Sequence, residues 1–460
     1  MKKTSENSEG LTQLPAGVLE AEQALDALDE AFWVGFGRLG AEQLKGVEAL
    51  QQAFGASALG PRMADAVAGI RRSEFAETHF VTFAAGRTAL QGAEHDALLT
   101  SAFEALGWTA TEASVETNLQ ATASHHEVYL EAARQWLLEL AIVGFFQLTP
   151  EVLLPFQATL EKLQGEPKLA RQAALLTGFY EEMLAAIPFG SKATVQNRRW
   201  PDLWARAMII CTKVPPPAAV SAFTGQIHLV GVEVREHGFY ASAVFHGIVL
   251  RGAEAIAVRV TLSTWKVDVV FGSELWKLFA ARAPTLVKAL TDGLVLTVDA
   301  LPLAETGDMA WDDAKAALAG KLDLDAIGAH LAPGAQTTRR APPLPLDRHP
   351  AFLALPIYMG DFQYKDGQIS FGAGTIPLAE AQTPAGDFDV DLLAAASAAV
   401  GLLRFNGGWA FQPLALLKRG KSAGKKPLTL AGAAAASAKS KVDAVGILQA
   451  KASRLLRRKA

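Results

Sequence analysis

A single cysteine, Cys211 in AMIICTK, stands in a chain of 460 residues. One thiol excludes an intrachain disulfide and any zinc or iron–sulfur centre built from several cysteines, and it fits a reducing compartment. With Ile209, Ile210 and Val214 around it, Cys211 reads as a buried structural residue. Long apolar runs are also missing. The longest, Trp136–Phe146 (WLLELAIVGFF) and Leu392–Leu403 (LLAAASAAVGLL), fall short of the roughly 20 residues a membrane-spanning helix needs. No transmembrane segment is expected. The opening MKKTSENSEGLTQLPAG has two lysines but no apolar run behind them, so no secretory signal is expected there.

Several site motifs are lacking as well. No G-x-x-x-x-G-K-[ST] phosphate loop, H-E-x-x-H zinc helix or G-x-S-x-G nucleophile elbow occurs. GFGRLG at Gly35–Gly40 matches the dinucleotide pattern in letters only. A helical segment, EAEQALDALDEAFWV, precedes it where that chemistry needs a strand, so it reads as a helix–helix connection. GDFDVDLL spaces Asp387, Asp389 and Asp391 like a calcium loop, but Leu392 and Ala398 occupy the positions of the required glycine and final acid. The acids are explained by an acid-rich entry to a helix. His125, His126 and Glu127 lie together on an expected helix. Adjacent residues there point about 100° apart, so the patch reads as solvent-facing. No cofactor is expected.

What is present is an architecture of class α+β, an all-α helical bundle followed by a β-rich α+β domain with an antiparallel meander. After residues 1–16, expected to be disordered, apolar positions recur at helical spacing through residues 17–190. They fall in Val18–Leu39, Ala41–Phe54, Ala64–Phe75, Thr88–Leu106, Glu112–Leu148, Pro150–Leu163 and Pro167–Ile187. Thr149-Pro150-Glu151 supplies a helix start, and Gly40, Gly107 and Gly165 supply stops. Long helices with short connections imply an antiparallel bundle. No repeat of fixed period is apparent.

Past a connector after Pro188, β-type alternation takes over, and residues 200–415 form the second domain. Strands are expected at Ala207–Thr212, Gln226–Arg235, Phe239–Leu250, Ile256–Ser263, Lys266–Phe271 and Leu294–Val298. Helices are expected at Ser273–Thr291, Trp311–Leu322 and Asp389–Arg404, the last stopped by Asn406-Gly407-Gly408. The proline-rich stretch 332–350 reads as a linker or an extended strap that splits this domain. FQYK-DG-QISF carries a strong hairpin signal at Asp366-Gly367.

Residues 418–460 differ in charge from the rest. They hold 12 Lys/Arg and one acid, Asp443, whereas the remainder holds 31 Lys/Arg and 46 Asp/Glu. The overall net charge of −4 thus joins an acidic body to a basic tail. The tail begins as low-complexity, disordered chain, and Val442–Lys459 can form an amphipathic helix. Lys418, Arg419, Lys421, Lys425, Lys426, Lys451, Arg454, Arg457, Arg458 and Lys459 are its candidate contacts to an anionic partner. Phosphate-rich nucleic acid and an anionic membrane are the two non-protein candidates. The tail carries no aromatic residue for base stacking.

Three histidines, His228, His237 and His246, are equally spaced in GQIHLVGVEVREHGFYASAVFHGIVLRG. A three-residue turn, Glu236-His237-Gly238, would pair Arg235 with Phe239 and place His228 opposite His246. Facing imidazoles of that kind are a candidate metal pair, and the apex His237 lies about 30 Å away along a nine-residue arm. Val230, Val232, Val234 and Val244 share their face, so a structural pair at a core edge is the alternative. Taken together, the expectation is a non-catalytic scaffold or adaptor that contacts protein partners in a larger cytoplasmic assembly. The alternatives are a hydrolase or metal-dependent enzyme with its site in the β-rich part, and a protein recruited to nucleic acid or membrane through the tail.

Overall fold

The computed structural model describes residues 11, 13–111, 127–187, 198–212, 220–236, 240–267, 270–335, 338–340, 353–371, 374–379, 390–418 and 427–429. Its first part is helical: α1 (Val18–Val34), α2 (Ala41–Ala53), α3 (Gly60–Arg71), α4 (Glu77–Leu106), α5 (Glu127–Val143), α6 (Pro150–Leu153), α7 (Gln157–Gln164), α8 (Ala170–Ala186) and α9 (Arg199–Thr212). A short strand, β1 (Thr109–Thr111), follows α4. The helices enclose one core, with Phe32, Phe80, Phe145, Phe179, Trp200 and Trp204 all inaccessible to solvent.

This part contains an internal repeat that no fixed sequence period reveals. α1 and α5 each end in the pattern V-G-F-x-x-L, at Val34–Leu39 and Val143–Leu148. In both copies the glycine has positive φ (97° at Gly35, 89° at Gly144), a single 3-10 turn follows, and an extended leucine precedes the next helix. The two corners cross. A Cβ at Gly35 would lie 2.4 Å from the Val143 carbonyl oxygen, and one at Gly144 would lie 2.4 Å from the Val34 carbonyl oxygen. Each corner thus packs on the other through the equivalent glycine, and the contact is reciprocal. Trp33 packs on Phe145 and Phe146 across this contact, with ring centroids 5.5 and 4.9 Å apart. GFGRLG is therefore a helix–helix connection, and its glycines serve a left-handed turn and a close backbone approach.

The second part is β-rich, and the whole is an α+β mixture. Its strands begin with β2 (Val220–Glu236), β3 (Tyr240–Arg251) and β4 (Glu254–Trp265), then come α10 (Leu275–Arg282), α11 (Pro284–Asp292), β5 (Leu294–Ala304) and β6 (Ala316–Lys321). Next are α12 (Leu324–Leu331), β7 (Thr338–Arg340), β8 (Leu355–Gly360), β9 (Gln363–Lys365), β10 (Gln368–Phe371) and β11 (Gly374–Pro377). α13 (Val390–Ala394), β12 (Ala396–Phe405), β13 (Trp409–Lys418) and β14 (Pro427–Thr429) end the described chain. A seven-stranded sheet has the order β1-β7-β4-β3-β2-β5-β6, and a four-stranded sheet has the order β14-β13-β12-β8. The third sheet is small, β11-β10-β9.

These elements stack in layers. One face of the large sheet carries Ile227, Leu229, Val232, Phe245, Val258 and Val260 against Trp276, Phe279 and Leu286 of α10 and α11. Its other face meets the four-stranded sheet and α12 through Val230, Ile248, Val400, Leu402, Leu414 and Ile327. Beyond the four-stranded sheet, Leu403, Phe405 and Phe411 pack on Leu98, Phe103 and Trp108. The last half of α4 therefore belongs to a core of the β-rich part, while its first half, with Phe80, Phe83 and Ala84, belongs to the helical core.

The Asp366-Gly367 turn forms as expected. Gln368 pairs with Lys365, and both turn residues have positive φ, 51° and 76°, as a type I′ hairpin requires. Six other expectations are corrected. Ala207–Thr212 is the end of helix α9, because Trp204, Ala207, Met208 and Cys211 form one buried helical stripe. Lys266, Val267, Val270 and Phe271 lie in no strand; Val270 N–H turns back to the Val267 carbonyl at 2.9 Å. Trp311–Leu322 is a 3-10 turn followed by strand β6, paired with β5. Within Asp389–Arg404, Val390–Ala394 is helical and Ala396–Arg404 belongs to strand β12, paired on both edges with β8 and β13. Lys418 ends β13, and Pro427–Thr429 is an edge strand of the same sheet, so those four residues of the basic segment lie in the sheet. The expected helix Ser273–Thr291 is broken at Pro284 into α10 and α11.

Candidate functional site

A β-bulge in β2 sets up the candidate site. Leu229 pairs with Gly247 but Gly231 pairs with His246, which leaves Val230 as an extra residue. An extra residue reverses the alternation of the strand. Before the bulge the odd-numbered Ile227 and Leu229 face α10 and α11; after it Val232 does. Gly231 and Glu233 are thereby turned toward the four-stranded sheet. The sheets approach closely there, since a Cβ on Gly231 would lie 2.5 Å from Leu414 Cβ.

Glu233 enters this layer with His246 from β3, Arg404 from β12 and Gln412 from β13. All four are buried. Arg404 Nη2 forms a close ion pair with Glu233 Oε1, while its Nε donates to Gln412 Oε1 at 2.9 Å and its Nη1 to the Leu353 carbonyl at 3.3 Å. His246 Nε2 lies 3.1 Å from Glu233 Oε2. An ionised carboxylate only accepts, so Nε2 carries the proton and donates. Burial raises the Glu233 carboxyl, but the His246 hydrogen bond and the Arg404 charge outweigh it and hold the group well below the usual carboxylate range. Burial pushes the His246 imidazole down, against the pull of Glu233, and the Arg404 and Arg259 charges act in the same direction as burial. The neutral ring therefore keeps Nδ1 as a proton acceptor.

His246 also lines a cleft of about 170 Å³ where α4, β3, β4 and α12 meet. Leu99, Phe103, Ile248, Leu331 and Leu355 contribute apolar walls, and His95, Arg251, Arg259 and Thr306 contribute polar groups. Arg259 Nη2 lies 3.0 Å from the Asp308 carboxylate, which also accepts from Thr306 Oγ1 at 2.7 Å. The Arg251 guanidinium sits 5.3 Å from the Phe223 ring centroid. A neutral base held by a carboxylate beside two guanidinium groups can accept a proton and can neutralise an anion.

A second polar cluster lies inside the helical core. Arg87 of α4 is inaccessible to solvent; its Nε and Nη2 donate to Asp29 at 2.7 and 2.8 Å, and its Nη1 to Asp202 at 3.2 Å. One helical turn pair further along α4, Glu94 is almost fully buried beside Glu22 of α1. Arg198 binds that same corner, to Asp26 through two contacts of 2.6 and 2.8 Å and to Glu22 at 3.3 Å. These contacts tie α1, α4 and α9 together.

Comparison with protein-family models, curated proteins and solved structures yields no match.

The histidine pairing expected from sequence is not formed. His228 stands opposite Ile248 and His246 opposite Gly231, because Arg235 pairs with Ser242 rather than with Phe239, a three-residue shift of which the bulge takes back one at His228. His228 Nδ1 is buried without a hydrogen-bond partner. Among the described residues no group of three or more His, Cys, Asp or Glu side chains is placed to hold a metal ion. His237, His125, His126, Asp387 and Asp389 lie outside the described residues, as do Arg419, Lys421, Lys425, Lys426, Lys451, Arg454, Arg457, Arg458 and Lys459. Glu127, beside the histidine patch, pairs with Arg134 at 2.9 Å. Cys211 is buried, and desolvation pushes its thiol up to about 12, as suits a structural residue. No sequence signal singles out Glu233, Arg404 or Arg259: Arg404 is a lone charge in the apolar run AAVGLLRF, whereas Glu233 stands beside Arg235 and Glu236 at the charged end of its strand.

Proposed function

We propose that this protein is a non-catalytic scaffold or adaptor that works through protein contacts. The observation that carries the proposal is a run of exposed apolar side chains at the end of β4. Trp265 is 73 % exposed, Phe271 65 % and Val267 48 %, and Tyr240 packs edge-on against Trp265 at 5.7 Å. An exposed aromatic packed on a second ring, with further exposed apolar residues close by in sequence, is the kind of feature found on contact surfaces. The internal ion pairs favour the same view. Arg87–Asp29–Asp202 and Arg404–Glu233–His246 lie largely buried and join segments remote in sequence, which suits a rigid support. The excess of cations from Lys418 onward offers an acidic partner a second, electrostatic contact.

The test compares proteins co-purifying with wild type and with a W265S/F271S variant whose circular dichroism and melting match wild type. Partners retained by wild type and lost from the variant are expected. Identical sets from the two would overturn the proposal. One observation favours a second reading, a hydrolase sited in the β-rich part: the base-and-carboxylate arrangement of His246 and Glu233 opens on a cleft. A hydrolase would lose activity on a model ester in the E233Q variant, while a scaffold has none to lose.

A further inference from the structure

The cleft beside His246 combines two features in one enclosed space. Its apolar side is formed by Leu99 and Phe103 from α4, Ile248 from β3, and Leu331 and Leu355. Arg259 and Arg251 bring positive charge to the other side, from the face of β4 and the end of β3. Glu305, the one carboxylate in the lining, is exposed. Arg259 has five N–H donors, of which Nη2 engages Asp308; its side chain is 29 % exposed, so the guanidinium is held in place yet reachable. Ala257, two residues earlier on the same face of β4, is a small exposed side chain in the lining and keeps the space open.

We propose that this cleft binds a small amphiphilic carboxylate, with the carboxylate on Arg259 and an apolar body against Leu99, Phe103 and Ile248. Three physical reasons select this class. A guanidinium already oriented by one carboxylate presents its remaining donors in a fixed plane, and that plane matches a second carboxylate. Apolar walls in a concave site at the junction of several elements are the usual surroundings of a small-molecule ligand. The charge present also discriminates by sign: an amine of equal size would face Arg259 and Arg251, and a neutral alcohol would leave the desolvated guanidinium without a new partner. The proposal is independent of the scaffold reading, since it concerns a different face of the molecule from Trp265.

Titration calorimetry on the full chain with octanoate, octanol, octylamine and inorganic phosphate tests it. Octanoate should bind saturably at one site, and octanol about tenfold more weakly, the factor for one charge-assisted hydrogen bond. Octylamine and phosphate should give no saturable heat, because the first has the wrong sign and the second has no apolar body. Arg259→Met should lower octanoate affinity to that of octanol, and Arg259→Lys should restore part of it. Ala257→Leu, at an exposed strand position, should abolish binding by filling the cleft while the melting temperature stays near wild type. The proposal is overturned if wild type gives no saturable octanoate heat, or if octanol and octanoate bind alike. Octanoate binding that survives Ala257→Leu unchanged would place it elsewhere and refute the site.

Discussion

Replacing Glu94 by Gln should stabilise this protein, and the gain should grow with pH. The carboxyl of Glu94 is 3 % exposed and its Oε1 has no hydrogen-bond partner. Desolvation is the largest cause that raises its pKa, followed by the charge of Glu22; Arg198 opposes both, and the result is about 8 against 4.5 for the free side chain. The folded protein thus keeps Glu94 protonated up to about pH 8, whereas the unfolded chain releases that proton near pH 4.5. Between those values folding must take up a proton, so stability falls as pH rises, by about 1.4 kcal/mol per pH unit. Gln carries no such proton. The stability of Glu94→Gln relative to wild type should therefore increase by about 3 kcal/mol between pH 5 and pH 7. Urea unfolding of both proteins at each pH, followed by the fluorescence of the buried tryptophans Trp33, Trp136, Trp200 and Trp204, measures it. A difference that stays constant across this range would refute the assignment of Glu94 as a neutral buried acid.

Other outcomes follow from the same geometry. Gly144→Ala should destabilise by about 3 kcal/mol or more, since its Cβ would overlap the Val34 carbonyl and φ is positive; Gly178→Ala, with open space around it in α8, should stabilise by about 1 kcal/mol, both read from denaturant midpoints. Arg404→Met should cost about 3–5 kcal/mol by leaving Glu233 buried without its cation, and Arg404→Met/Glu233→Gln should recover part of that loss. Glu233 itself has the opposite sign to Glu94. Its folded pKa is depressed, so its contribution is present above the ordinary carboxylate pKa and is lost as pH falls, and Glu233→Gln should flatten the acid limb of the stability curve. Cys211 should resist iodoacetamide at pH 8 in the folded protein and react once urea unfolds it; labelling of native protein would contradict its burial.

Much of the architecture is legible from local pattern. The helix-then-β order follows from hydrophobic periodicity, and the Asp366-Gly367 turn from its demand for two positive φ angles. Failures occur where tertiary context overrides local preference. LLAAASAAVGLL has the composition of a helix, yet its small residues are what a strand covered on both faces needs; a Cβ at Gly401 would meet the Gln412 carbonyl at 2.2 Å. AMIICT is rich in β-branched residues, but Trp200, Trp204 and Met208 before and within it have helical spacing. The candidate site was hidden for a geometric reason. One bulged residue, Val230, decides which face Glu233 occupies, and no local signal in HLVGVEV locates that bulge. The Gly35–Gly144 crossing was equally hidden, because each motif looks like an ordinary connection until its partner lies against it.

The placement of α4 has a thermodynamic consequence. At 30 residues it is about 45 Å long, and it supplies Phe80 and Phe83 to one core and Leu98 and Phe103 to another. Detaching the β-rich layers would expose Leu98, Ala102, Phe103, Leu106 and Trp108 while the other end of the same helix remained packed. Melting the helical core would remove the rod on which the outer face of the four-stranded sheet rests. Neither core can open without cost to the other, so the two should unfold as one cooperative unit, and the amides in the middle of α4 should exchange only when the whole molecule opens.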